Sequence, residues 1–189
     1  MTIASPIQRL LKFEEYLAYD DGTNNRYELL RGRLLLMTPP TVRHLLIAKL
    51  IERILDAEIS RLKLALVTLR EAGVQTEVDS VRLADVCVVT EEEAVELMDR
   101  TAVFRVPARL AVEIVSPSSV KRDYEEKPPE YANKGIPEYW IVDPMKTSVT
   151  VFLLINGRYE STVFTGTQQI ISRLFPELVV TVEQILTSR

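Results

Sequence analysis

The run LAVEIV, Leu110 to Val115, limits more than any other stretch what this chain can fold into. It is apolar at every position except Glu113, and Pro117 follows shortly after. A short continuous apolar run bounded by a breaker belongs to a strand covered on both faces, not to one alternating between core and water. EYWIVDP, which ends at Asp143 and Pro144, is a second run of the same kind. Strands covered on both faces require helices on either side of a sheet. The expected class is therefore α/β or α+β, with a mixed central β-sheet flanked by helices.

The rest of the chain supplies the other elements. From Val42 to about Leu62, Leu46, Ile47, Leu50, Ile51, Ile54 and Leu55 recur at helical spacing between charged residues, which predicts the longest helix. A second long helix is expected to end near Gly135, with Pro137 beyond it. A short helix is read over 12–19 and a hairpin over Tyr27 to Met37, turning at Gly32. Residues 65–71, 73–78 and 82–90 read as strands, and Glu91 to Asp99 as a short helix. Residues 148–155 and 158–164 form a hairpin through Asn156 and Gly157, and TVEQILTS a closing helix.

With 189 residues, 47% of them hydrophobic and 26% charged, the sequence has the balance of one ordinary globular domain over 1–189. It holds no apolar run long enough to span a membrane, and Pro6, Arg9 and Lys12 interrupt the N-terminal segment, so no signal peptide is expected. The single cysteine, Cys87, excludes an internal disulfide and a thiolate metal cluster. These features fit a cytoplasmic protein. A net charge of −4 argues against a protein that coats nucleic acid but leaves room for a local basic groove.

Glu113 has a counterpart in Asp85, inside RLADVCVV. A lone ionised carboxylate in a core strand is so unfavourable that it neutralises, pairs with a cation or binds a metal. Alternation places Asp85, Cys87 and Val89 on one face of their strand. If the two strands are neighbours, the carboxylates can share Mg²⁺, which takes oxygen ligands and commonly uses one or two carboxylates with water and phosphate. Lys121 or Lys127 can then supply a positive group that holds an attacking water and stabilises developing charge. Together these residues describe metal-assisted phosphodiester hydrolysis. The competing reading pairs each acid with an arginine, drawn from Arg70, Arg82, Arg105 and Arg109.

A longer pattern bears on that choice. The segments FEEYLAYDDGTNNRYELLRGRLLLMTPPTVRH, RLADVCVV, LAVEIVSPSSVKRDYEEK, YANKGIPEYWIVDP and RLFPELVVTVEQIL, in this order, resemble the Uma family of restriction-endonuclease-like proteins, within the PD-(D/E)XK nuclease superfamily. The resemblance covers roughly 12–187, and VEIVSPSS followed by GIPEYWIVDP is its most specific part. It implies a restriction-endonuclease-like fold, with an N-terminal helix and hairpin over 12–37, a catalytic core over 42–143 and a C-terminal hairpin and helix over 148–187. It further implies a DNA endonuclease with Mg²⁺ or Mn²⁺ as cofactor. By position, Asp85 and Glu113 match the metal-holding acids, Glu28 an N-terminal acid that can join them, and Lys127 the catalytic lysine that activates water. The superfamily's usual lysine position falls on Val115, and Ala84 replaces the proline before the aspartate. Cutting both strands of a duplex with one site per chain is simplest in a two-fold pair, so a homodimer is expected. The rival is a catalytically inactive nuclease-fold domain used for dimerisation or nucleic-acid binding.

Other residues are weighed against plainer roles. His44 either approaches the phosphate site or packs on the hairpin. Cys87, Tyr139 and Trp140 are expected as core, and Glu91 to Glu93 as a solvated helix N-terminus. Pro128 lacks an amide hydrogen and clashes with the carbonyl four residues earlier. The helix is therefore expected to restart there with Pro128 at its first position, and Lys127 to be pushed towards extended backbone.

Overall fold

The computed structural model describes residues 9–187; the remaining ends of the expected domain, with most of the segment read for a signal peptide, lie outside the described residues. In chain order the elements are α1 (Phe13–Leu17), β1 (Tyr27–Leu30), β2 (Arg33–Leu36), α2 (Val42–Leu62), β3 (Leu66–Glu77), β4 (Ser80–Thr90), α3 (Glu91–Glu96), β5 (Val103–Phe104), β6 (Leu110–Ile114), a π-helical turn (Arg122–Glu126), α4 (Lys127–Lys134), β7 (Glu138–Asp143), β8 (Ser148–Ile155), β9 (Arg158–Thr165) and α5 (Val182–Leu186).

The long helix forms over the expected residues because Thr41 caps it, its hydroxyl accepting from the His44 amide at 3.2 Å. Its buried stripe, Ile47, Ile51, Leu55 and Ile59, packs on one face of the sheet with Val86, Val88, Val112 and Trp140. Cys87, Ala111, Tyr139 and Ile141 look the other way, towards Tyr131 of α4. The apolar runs of β6 and β7 are thus buried on both faces, with Trp140 and Tyr139 in opposite layers. Cys87 is core, and burial pushes its thiol up to about 12.

The sheet runs β2-β1-β4-β6-β7-β8-β9, with β3 along β4 and β5 beside β3. β6 and β7 are parallel, as are β3 and β5; the other pairs are antiparallel. Two expected strands merge into β3, which runs on through Ala72, the residue left between them, and Gly73. A side chain there would meet a Val103 methyl carbon at 2.8 Å, so the glycine permits β5 to approach. The second helix, α4, begins one residue before the expected restart at Pro128 and is preceded by the π turn. It stops at Gly135, whose φ of 86° is the left-handed end that glycine favours.

Candidate active site

A gap between strands creates the site. β3 pairs along one edge of β4 from Thr90 to Ser80, skipping the level of Asp85. On the other edge β1 pairs at Val81, and β6 pairs at Val86 to Val88. Arg82 to Asp85 lie between the two partners, and carboxylates fill the interrupted ladder. Glu28 Oε1 accepts the Leu83 amide at 3.1 Å, and Asp85 Oδ2 accepts the Ile114 amide at 2.7 Å. Continuing the β4–β6 register by one step places Asp85 across from Glu113.

The expected alternation of β4 breaks here. Ala84 shares a layer with Cys87, whereas Val86 and Val88 lie in the other layer. Asp85 lies within this break. Its Oδ1 meets Nε2 of His44, in the first turn of α2, at 3.0 Å. Across β3 from Asp85, Glu71 has φ of 60°, a left-handed conformation that disturbs both strands at this level. His44 thus belongs to the site rather than to the hairpin.

On the other side of the gap stands Lys127. Its ammonium is 2.7 Å from Glu113 Oε2, 3.3 Å from Asp123 Oδ1 and 3.7 Å from Glu28 Oε1. Tyr131 donates its hydroxyl to Glu113 Oε1 at 2.8 Å. Arg82, fully buried, donates to Glu28 at 2.9 Å and grips Glu130 through two hydrogen bonds of 2.7 Å. The arginines considered as partners for the two acids are engaged elsewhere: Arg70 with Glu52, Arg105 with Glu14, Arg109 with Glu93. Lys121 is exposed and 3.9 Å from Glu126.

Carboxylates outnumber cations in this buried group. Burial pushes Glu113 well above the usual carboxylate range, opposed by Lys127 and reinforced by the charges of Asp85 and Asp123. Burial also raises Asp123, against the pull of Lys127. For Lys127, burial favours the neutral form, but the charges of Glu113, Glu28 and Asp123 outweigh it and hold the ammonium protonated. Glu28 is held below its ordinary value: burial would raise it, and Lys127 with Arg82 prevail.

The proline pair acts differently from the expectation. Lys127 keeps helical backbone, with φ of −66° and ψ of −39°, so it is not pushed towards extended geometry. The chain avoids the clash by widening: the Lys127 amide bonds to the Arg122 carbonyl, five residues back, and Pro128 follows as the second residue of α4. A further bond of that kind would need an amide hydrogen on Pro128. The Asp123 carbonyl is satisfied instead by the Tyr139 hydroxyl at 3.0 Å.

The expected residues Glu28, Asp85, Glu113 and Lys127 are therefore brought together, and Asp123, Tyr131 and Arg82 join them. Asp123 and Tyr131 carry a signal in the sequence, since they stand four residues before and after Lys127 and so share its helix face. Arg82 was considered only as a partner for Asp85 or Glu113; its real partners come from β1 and α4.

Asp85, Glu113, Asp123 and Lys127 line one cleft of about 560 Å³. Ser116, Ser118, Arg26, Arg43 and Arg122 also line it, giving hydroxyls and positive charge for phosphate. Among the described residues no three Asp, Glu, His or Cys side chains form a ready cation shell. The donors nevertheless fit a hard divalent cation, because two oxygen-bearing acids open on a cleft whose buried group carries surplus negative charge. Mg²⁺ commonly needs only one or two carboxylates, with water completing its shell. The obstacles are Lys127, which occupies Glu113 Oε2, and His44 with the Ile114 amide, which engage the two oxygens of Asp85.

A family profile described as "Putative restriction endonuclease" (Uma2) matches residues 13–183. Among solved structures the fold is similar to a "putative nuclease belonging to DUF820" from Anabaena variabilis, with a TM-score of 0.77 and 16% identity, covering 94% of this chain and 98% of that one. No curated protein matches the sequence.

Proposed function

The chain belongs to the Uma2 family, described as "Putative restriction endonuclease", and from that membership we propose a metal-dependent endonuclease that hydrolyses DNA phosphodiester bonds. The observation that carries this reading is the convergence of Asp85, Glu113 and the protonated Lys127 on one cleft with arginines at its rim. Asp85 and Glu113 hold Mg²⁺ or Mn²⁺, which when bound polarises a phosphoryl oxygen and lowers the pKa of a bound water.

Lys127 acts as a cation rather than as a base, because three carboxylates keep its proton on. It orients the attacking water and stabilises the negative charge that grows on the phosphoryl group. Glu28 holds the ammonium from behind, its own oxygens committed to Arg82 and the Leu83 amide. The arginines and serines of the rim position the backbone and carry no sequence information of their own. Two copies paired about a two-fold axis cut the two strands of a duplex.

Plasmid nicking in Mg²⁺ or Mn²⁺, compared with Glu113→Ala, tests the activity, and light scattering tests the pairing. Nicking by the parent and none by the variant is expected. No nicking, together with no Mn²⁺ binding at millimolar concentration, leaves the inactive nuclease-fold domain as the better account.

A further inference from the structure

Asp123 is a buried acid to which the proposed chemistry gives no part beyond helping to keep Lys127 protonated. It is 2% exposed, lines the cleft, and its Oδ1 has no hydrogen-bond partner. Lys127 stands 3.3 Å from that oxygen but outside hydrogen-bond geometry, while its bond to Glu113 is short and direct. This Asp123 oxygen is held only by an ion pair at that distance, so it keeps room for a closer, directional bond from the ammonium.

Cation binding creates the need for that bond. Both oxygens of Glu113 are occupied, Oε1 by the Tyr131 hydroxyl and Oε2 by the ammonium. A divalent cation at Glu113 competes with Lys127 for Oε2, and like charges that close repel. The ammonium therefore needs a second carboxylate within a small movement. Glu28 cannot fill this role well, since it is already committed to Arg82 and the Leu83 amide. Asp123, one turn back on the same face, can.

Resting on the proposed metal site, we infer that Asp123 is a positioning residue that receives the Lys127 ammonium when a divalent cation takes Glu113. The lysine moves from one carboxylate to the other and stays at the edge of the cleft, next to where the phosphate sits. The π turn serves this exchange. It puts Asp123 and Lys127 side by side, and the Tyr139 hydroxyl on the Asp123 carbonyl fixes the turn from below.

The test is a cycle of Mn²⁺ affinities, read by calorimetry, for the parent, Asp123→Asn, Lys127→Met and the double variant. Asp123→Asn in the parent background is expected to weaken Mn²⁺ by about tenfold or more, the usual effect of losing a residue that supports a metal ligand. With Lys127 replaced by methionine there is no ammonium to receive, and Asp123→Asn is expected to change the affinity less than about twofold. An equal loss in both backgrounds would make Asp123 a direct ligand or a simple source of charge and overturn the inference alone. Absence of Mn²⁺ binding by the parent removes the metal site and this inference with it. Should the methionine variant not fold, a crystal structure of the parent loaded with Mg²⁺ decides: Nζ within hydrogen-bond distance of Asp123 and away from Glu113 supports the exchange, and Nζ still on Glu113 ends it.

Discussion

The Lys127 ammonium lies 2.7 Å from Oε2 of Glu113, with both side chains 3% exposed, whereas the Lys121 side chain is 75% exposed and reaches only Glu126. The two lysines offered by the sequence are thereby separated by burial. Lys127→Ala should abolish nicking and, by leaving Glu113, Asp123 and Glu28 without their shared cation, cost about 3 to 5 kcal/mol of stability. Lys121→Ala should alter neither by much, since exposed pairs contribute about 1 kcal/mol at most. Urea titration and nicking assays on both variants check this. Loss of nicking in the Lys121 variant alone would assign the role to the other lysine.

Asp85→Asn and Glu113→Gln should each remove activity at little structural cost. The amide oxygen at 85 can still accept from Ile114, and Lys127 keeps Asp123 and Glu28 when Glu113 is neutral. Each change also removes one charge from a group with surplus negative charge. We expect a stability change of about 1 kcal/mol or less, in either direction. Thermal melts showing a loss of about 3 to 5 kcal/mol in both variants would identify fold-building ion pairs instead.

Tyr139→Phe leaves the Asp123 carbonyl without a donor in a buried turn, which should cost about 1 to 3 kcal/mol. Alanine at 128 restores an amide hydrogen in reach of this turn. The cost of Tyr139→Phe should then fall in the Pro128→Ala background. Chemical denaturation of the four proteins of this cycle measures the coupling, and strict additivity would show that the prolines do not create the tyrosine's role.

Glu28 predicts a pH dependence. Its folded pKa lies below the ordinary 4.5, because Lys127 and Arg82 outweigh the opposing effect of burial. A depressed carboxylate contributes its stabilisation fully above the unfolded value and loses it as pH falls through the folded one. Glu28→Gln should therefore be less stable than the parent at neutral pH by roughly 3 kcal/mol, and the gap should close on acidification below 4.5. A gap that stays constant across a pH series of urea melts would show that the charge of Glu28 is not what holds Arg82.

The sequence by itself determined most of the elements and the presence of an acid pair. LAVEIV and EYWIVDP could only be strands covered on both faces, since their apolar residues do not alternate, and the periodicity from Val42 to Leu62 gave the helix that covers one face. Gly135 and the Asn156-Gly157 pair marked their turns because few residues adopt positive φ there. Within the site, Glu28, Asp85, Glu113 and Lys127 were legible from their positions in the family pattern.

What only the tertiary structure decided is which charge meets which. Arg82 lies only three residues before Asp85 in sequence yet bonds Glu28 of β1 and Glu130 of α4, which the closed sheet and the helix packed on it bring to it. Local rules placed Lys127 in extended backbone before Pro128, and a π turn kept it helical. That turn is supported by Tyr139 from a strand distant in sequence. The choice between extended and widened helix is worth a few kcal/mol, and long-range pairing of Lys127 with Glu113 and Glu28 is large enough to make it. Local propensity carries no information about partners brought together only when the sheet closes.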